Sequence, residues 1–420
     1  MKVIEDRVMT DQFKELHPEL HKGERQSNRT AEDATSDNHF TSLSSEVKQW
    51  VELDAFSLQW LKETLTQLGI DESFKAEALT GDASSRRYVR IHLHKRTFIL
   101  CLSEDYFSNQ RFREVSAQLQ TVGIMAPLVF AYNETPGLML LSDLGSTSLS
   151  DLYAMNSKHL PMAVIHRALN DLSRLAVMPE DAFPSLGNYD QTLLDRDFGL
   201  FTDWALSHWL ELEVDVEQQQ TLQNMADVLK DAFSLQPQVW VHRDFHCRNL
   251  MVTDDDIAMI DFQDMVRGPV TYDLASIVND AYWLMSPEQQ DQLIEDYYKV
   301  LRSIAFLDDS VSLQTFKVWH AFTALQRLLK VIGIFCRLSL RDGKHTYMTD
   351  LVVVLENTTR QVLHLTDILD DMAKASSSDA GFMMLKPLLV KSKSFIALWE
   401  TLLHPQLSQK LDQFLSDKRC

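Results

Sequence analysis

Three oxygen-bearing side chains, Asp244, Asn249 and Asp261, stand five and twelve residues apart within HRDFHCRNLMVTDDDIAMIDF, residues 242 to 262. A carboxylate, a neutral amide and a second carboxylate in that order match the needs of phosphoryl transfer to a hydroxyl. The reaction requires an acceptor held in line, a base to take its proton, and cations to offset the triphosphate. Asp244 suits the proton. Asn249 offers an amide oxygen without adding charge and Asp261 offers a carboxylate, both hard donors suited to magnesium. Singly, each residue would be read as a turn cap or a strand end. Their order, with apolar runs on both sides, favours the chemistry.

Apolar Val239, Trp240 and Val241 before the segment and Ile257 to Ile260 near its end predict strand, loop, strand, hairpin, strand. Upstream, strands are expected over 87–93 and 97–102 around a His94-Lys95-Arg96 turn, then a helix over 109–121 ending at Gly123. Two more strands follow, 129–132 and 138–141, joined across Pro136-Gly137. The polar loop from Thr80 to Arg86 precedes the first strand, and the order of loop, hairpin, helix and two strands resembles a kinase amino lobe, which implies Gly81, Ser84, Arg86 and Arg87 at nucleotide phosphates. Ser142 and Leu144 are expected at the nucleotide in a hinge, Ser142-Asp143-Leu144-Gly145.

Beyond residue 144 the pattern is helical. Helical spacing also marks Trp50, Val51, Trp60, Leu61 and Leu65, and again Met162, Ile165, Leu169, Leu172 and Leu175 after Pro161. Ser286-Pro287-Glu288-Gln289 has the form of a capping box with Pro at the first helical position. The expected fold is α+β and bilobal, protein-kinase-like, with a small β-rich amino lobe and a large, mainly helical carboxy lobe. The expected divisions are a flexible tail over 1–44, an amino lobe over 45–143, a carboxy lobe over 144–375 and a helical extension over 376–420.

At 420 residues the chain exceeds one compact core, which agrees with two lobes. Its formal charge of −20 disfavours nucleic acid or an anionic membrane as partner. No apolar run is long enough to cross a bilayer. Cys101, Cys247, Cys336 and Cys420 are widely separated with no C-x-x-C, which suggests neither a disulfide framework nor a zinc site and fits the cytoplasm.

Several segments together resemble the aminoglycoside phosphotransferase family, and within it the bacterial anomeric N-acetylmuramate and N-acetylglucosamine kinases of cell-wall recycling. They are GDASSRRYVR (81–90), LLSDLG (140–145), YDQTLLDRDFGLF (189–201), HRDFHCRNLM (242–251), IDFQDMVRGPVTYDLAS (260–276) and LQRLLKVIGIFCRLSLRDGK (325–344). The resemblance spans residues 46 to 370. It implies ATP and Mg2+ as cofactors, a small amino sugar as acceptor and a sugar 1-phosphate as product. It gives Asp244 the role of base, lets Asn249 and Asp261 hold magnesium, and puts Gln263, Asp264 and Arg267 near sugar or phosphate. One departure stands out: the strand over 97–102 lacks the Lys that kinases direct at nucleotide phosphates and has Cys101 there. Arg86 or Arg87 is the expected replacement.

Arg327, Lys330, Arg337, Arg341 and Lys344 recur at helical spacing as a basic stripe. It suits an anion such as a lactyl carboxylate or a sugar phosphate; the competing reading is a solvated face paired with surface carboxylates. Asp273 is expected to cap a helix. His242 and His246 are expected to pack, since no third soft ligand accompanies them, and Cys247 to be a small buried residue. Asp190 and Asp197 fit either the sugar site or an ordinary solvated helix start. Another hydroxylated acceptor, such as an aminoglycoside or choline, and a nucleotide-binding pseudokinase scaffold are the alternatives. No A-P-E sequence follows Asp261, against a protein kinase.

Overall fold

The structure is a computed structural model that describes residues 48–79, 86–155, 161–253, 256–374 and 380–417. The expected tail, Gly81 and Ser84 lie outside the described residues. The described residues form two compact units: one contains 48–79 and 86–104 with Ala131–Leu140, the other Asp105–Phe130 with the described residues from Leu141 onward.

In the first unit Asp54 caps helix α1 (Ala55–Gln67), its side chain accepting the Ser57 N–H. Trp50 and Val51, expected on this helix, instead run extended: Trp50 bridges to Glu77 and the Val51 N–H donates to the Ala76 carbonyl at 2.9 Å. The cap explains the break, because Asp at that position takes the orphan amides of the first turn. Strand β1 (Lys75–Leu79) was not foreseen. It pairs antiparallel with β2 (Arg87–His92), which pairs antiparallel with β3 (Thr97–Leu102). With β4 (Val129–Asn133) and β5 (Leu138–Ser142) they form a five-stranded sheet ordered β1-β2-β3-β5-β4.

The second unit begins with α2 (Tyr106–Thr121), which Asp105 caps. Its Phe112 ring lies 4.8 Å from that of Phe262, tying this helix to the segment that carries Asp261. Helices α3 (Leu149–Met155), α4 (Met162–Ala176) and α5 (Gln191–Leu200) follow, then a π-helical stretch Phe201–Trp209 and α6 (Val216–Ser234). Two short ribbons position the chemistry: β6 (Gln238–Val241) with β9 (Val266–Pro269), and β7 (Leu250–Val252) with β8 (Ile257–Met259). Then come α7 (Tyr272–Val278), α8 (Pro287–Ser303), α9 (Leu313–Leu340), α10 (Tyr347–Lys374), α11 (Ala380–Leu398) and α12 (His404–Asp417). The Ser286 capping box at α8 is present as expected.

Helix α9 is buried on nearly every side, the pattern of a helix at the centre of a core. No helix among the described residues is long and apolar enough to cross a membrane. The carboxy-terminal helices join the same core: Phe395, Trp399, Leu403 and Leu407 are fully buried or nearly so, and the Trp399 indole N–H donates to Thr359 Oγ1 of α10 at 3.4 Å.

Gly333 allows α9 to approach the chain where α5 becomes π-helical. A Cβ there would lie 2.2 Å from the Leu200 carbonyl oxygen and 2.6 Å from the Phe201 nitrogen. Backbone cannot swing aside as a side chain can. Gly333→Ala is therefore expected to destabilise the fold by on the order of 1–3 kcal/mol. Thermal unfolding checks this; an unchanged midpoint would contradict the close approach.

Candidate active site

The chain leaves β6 at Val241 and turns sharply, with Arg243 in the left-handed region at φ 75°. A non-glycine residue there is strained and persists only when its surroundings dictate it. Buried Asp273 does so. Its carboxylate accepts the His242 N–H at 2.5 Å and the Arg243 N–H at 3.0 Å. The expected helix cap at α7 is therefore corrected: Asp273 caps the loop, and α7 has no side-chain cap.

His242 fastens the next step. One ring nitrogen, Nε2, lies 2.9 Å from the Ile260 carbonyl, so it carries the proton, and Nδ1 accepts the Asp244 N–H at 3.3 Å. The Asp244 carbonyl accepts the His246 N–H and the Asn249 side-chain amide, each at 3.0 Å. A second buried carboxylate, Asp280, accepts the Cys247 N–H at 2.7 Å and the Tyr282 N–H at 2.8 Å. Asn357 of α10 donates to the Asp280 carbonyl at 3.1 Å. The loop's backbone donors thus end on rigid interior acceptors.

Asn249 and Asp261 are brought close by the β7–β8 ladder. Leu250 pairs with Met259, and one step outward the Ile260 N–H donates to the Asn249 carbonyl at 3.0 Å. The Asn249 amide nitrogen is committed to Asp244, which leaves Oδ1 as its acceptor for a cation. Asp261, at φ 66°, is exposed, and its Oδ1 accepts from Gln263 Nε2 at 2.7 Å. Two oxygen donors fall short of a protein-built cage, and among the described residues no group of three or more His, Cys, Asp or Glu is placed to hold a metal. They fit magnesium, which binds one or two protein ligands and completes its shell with phosphate oxygens and water.

Burial opposes the Asp244 charge, but Lys330, His246, Arg243 and His242 outweigh it and hold its pKa down to about 2. Behind the loop lies a charged interior. Asp197, 0 % exposed, accepts from the Tyr189 hydroxyl and sits 3.6 Å from Lys330 Nζ and 4.0 Å from the Arg243 guanidinium. Lys330, only 5 % exposed, also donates to the Tyr272 hydroxyl at 3.3 Å. The Arg243 guanidinium donates to the Asp264 carbonyl at 3.3 Å, joining the Asp244 loop to the Asp261 loop.

The remaining sequence-predicted residues scatter. Arg86 is buried and close enough to Cys101 to oppose the upward shift that burial gives its thiol, while Arg87 is exposed. Ser142 closes a turn, its hydroxyl accepting the Leu128 N–H at 2.8 Å; Leu144 is half-buried next to Gly145. Asp264 is exposed, 3.7 Å from Arg111. The Arg267 guanidinium is held by Glu180 and by the Gln238 carbonyl, the latter at 2.8 Å. Arg327 is 2 % exposed and donates to the Asn279 carbonyl at 3.3 Å. The basic stripe therefore divides: Arg327 and Lys330 are interior, whereas Arg341 is exposed and bound to Asp342. Asp190 caps α5. Cys247 is buried and its pKa lies well above the ordinary thiol value, chiefly through burial.

Sequence reasoning missed Asp280 and the pairing of Asp197 with Lys330. The second was legible: Leu194, Asp197, Phe198 and Phe201 recur at the spacing of one buried helix face. An Asp on such a face requires a partner.

Asp273 yields a stability prediction. Burial raises its pKa from the ordinary 3.8 to about 6, against the opposing effects of His242 and the two backbone amides. Between those values the folded state holds a proton that the unfolded chain has lost, so stability falls as pH rises through this window. In Asp273→Asn that component of the slope should vanish. Denaturant unfolding from pH 4 to 7 checks it; identical slopes would contradict a raised pKa.

The chain matches the model of the phosphotransferase enzyme family, APH, over residues 75–307. It is 33% identical over 300 residues to the N-acetylmuramate/N-acetylglucosamine kinase of Pseudomonas aeruginosa, covering 70% of this chain and 87% of that one. The N-acetylmuramate/N-acetylglucosamine kinase of Pseudomonas putida is 31% identical over 299 residues, with 70% and 86% covered. In fold it resembles a Plasmodium vivax ethanolamine kinase, at TM-score 0.51 and 12% identity over 74% of this chain and 89% of that one. A choline/ethanolamine kinase family protein from Mesorhizobium loti gives TM-score 0.51 and 12% identity over 80% and 99%. The antiparallel sheet, the helical second unit and the HRD loop thus belong to a kinase-like fold, and this chain is a member of the phosphotransferase enzyme family.

Proposed function

We propose that this protein is an ATP-dependent amino-sugar kinase, transferring a phosphoryl group to the anomeric hydroxyl of N-acetylmuramate or N-acetylglucosamine. What carries the reading is an ionised Asp244 held beside Asn249 by Asp273, in a chain about a third identical to kinases of that name. Three described cysteines, Cys101, Cys247 and Cys336, are free and buried, which suits the reducing, ATP-containing cytoplasm.

Asp244 receives the acceptor's proton. With a pKa near 2 it is a feeble free base, so the proton passes late, as the acceptor oxygen bonds to phosphorus and the bond from phosphorus to the ADP oxygen breaks. Its contribution is therefore largely positional, a carboxylate always ionised and pinned through its own backbone. Asn249 and Asp261 would hold magnesium, which when bound offsets the charge of the phosphates. Gln263, by donating to Asp261, fixes the orientation of that carboxylate. Arg86, buried near Cys101 on the strand that lacks a Lys, supplies positive charge to the nucleotide phosphates.

Asp244→Asn should cut turnover by roughly 10²- to 10⁴-fold while ATP affinity stays within a few-fold. The assay pairs a panel of N-acetylmuramate, N-acetylglucosamine, aminoglycosides and choline with phosphorus NMR to locate the transferred group. Phosphate on choline or on an aminoglycoside alone would reject the amino-sugar assignment. For Arg86→Ala, the expected signature is a KM for ATP raised about tenfold or more, the loss of one charge-assisted contact. An unaltered KM for ATP would remove Arg86 from the phosphates.

A further inference from the structure

Arg337 has no role in the mechanism above, yet its surroundings are unusual. It lies half-buried on α9 with its Nε buried and without a hydrogen-bond partner. Burial, then Arg341 and Arg196, depress its basicity, with Asp342 opposing. Three guanidiniums thus converge from α5 and α9 in a chain whose net charge is −20. Their nearby carboxylates are already occupied. Asp342 is gripped by Arg341 at 2.7 and 2.9 Å, and Asp197, 3.3 Å from Arg196, also answers to Lys330 and Arg243. An orphan donor among like charges is unfavourable unless an anion completes it.

The position is informative. Arg337 follows Lys330 by seven residues, so the two share a helix face about 10.5 Å apart along the axis. Side chains on a helix lean toward its N-terminus, for Arg337 the direction of Lys330 along α9, and the Lys330 ammonium helps hold Asp244 ionised. N-acetylmuramate differs from N-acetylglucosamine by a lactyl ether on C3 that ends in a carboxylate, away from the anomeric hydroxyl. A planar guanidinium with a free N–H edge matches that group.

We propose that Arg337, with Arg196 and Arg341 around it, forms the anion site that receives the lactyl carboxylate and so distinguishes N-acetylmuramate from N-acetylglucosamine. This assignment rests on the amino-sugar reading given above. The cluster then explains why an acidic protein gathers three guanidiniums where two have carboxylate partners and the Arg337 Nε has none. Asp342 holds Arg341 in place and leaves Arg337 as the contacting residue.

The test measures the affinity of both sugars for the wild-type protein, Arg337→Gln and Arg337→Lys by calorimetry, alongside turnover. The wild type should bind N-acetylmuramate more tightly. Arg337→Gln should weaken that binding about 10- to 100-fold and leave N-acetylglucosamine within about twofold, with Arg337→Lys between them. Circular dichroism and the unfolding midpoint confirm that each variant folds, and the retained affinity for N-acetylglucosamine confirms an intact sugar site. An equal ratio of affinities in wild type and Arg337→Gln overturns the inference. So does a loss that appears for N-acetylglucosamine 1-phosphate but not for N-acetylmuramate, which would mark a phosphate site. A wild type that binds both sugars and phosphorylates neither defeats the kinase reading alone; one that binds neither defeats both.

Discussion

A single buried carboxylate, Asp273, bonded to two consecutive backbone N–H groups, is the constraint on which the site depends. The turn it holds includes a left-handed Arg243, a conformation that costs on the order of 1–3 kcal/mol when nothing enforces it. Once those amides are fixed, His242 can reach the Ile260 carbonyl with one nitrogen and the Asp244 N–H with the other. That one ring joins the segment bearing Asp244 to the strand end bearing Asp261. Asp280 repeats the device three residues beyond Asp244, where it holds the Cys247 amide.

These carboxylates need an interior that can hold charge, and α9 provides it. The helix is apolar enough to sit at the centre of the second unit, yet it carries Thr323, Gln326, Arg327 and Lys330 inside. Each meets a partner from another element: Thr323 bonds to Gln236 at 3.0 Å, and Lys330 to Tyr272. Breaking one member of such a network strands the others, so its cost exceeds that of the contact removed. Gly333 supports the arrangement by letting backbone meet backbone at the junction of α5 and the π-helical stretch, the same face from which Asp197 reaches Lys330.

Much of this was legible beforehand, for identifiable reasons. The β2–β3 hairpin, α2 and the capping box of α8 follow from local alternation, periodicity and cap chemistry, and the structure differs there by a few residues at most. Trp50 and Val51 were misplaced because an apolar pair before a cap mimics a helix turn. Strand β1 escaped because Lys75, Ala76, Glu77 and Ala78 have weak strand propensity and are held by pairing with β2. Asp244, Asn249 and Asp261 could be singled out because their spacing is short. Asp273 lies 31 and 30 residues from the His242 and Arg243 amides and Asp280 lies 33 from that of Cys247, and no local rule reports a contact of that range. The ion pair of Arg267 with Glu180, far upstream, is likewise of a range that no local rule reports.

Cys101 on β3 has a practical consequence. Kinases direct a Lys at the nucleotide phosphates from the strand that here carries none, so β3 offers an acylating reagent no amine. The residue in its place, Cys101, is a buried thiol whose pKa burial pushes to about 11, with Arg86 opposing, and a thiol in that state is nearly devoid of the reactive thiolate. An acylating inhibitor aimed at a lysine amine will find no attachment point on β3.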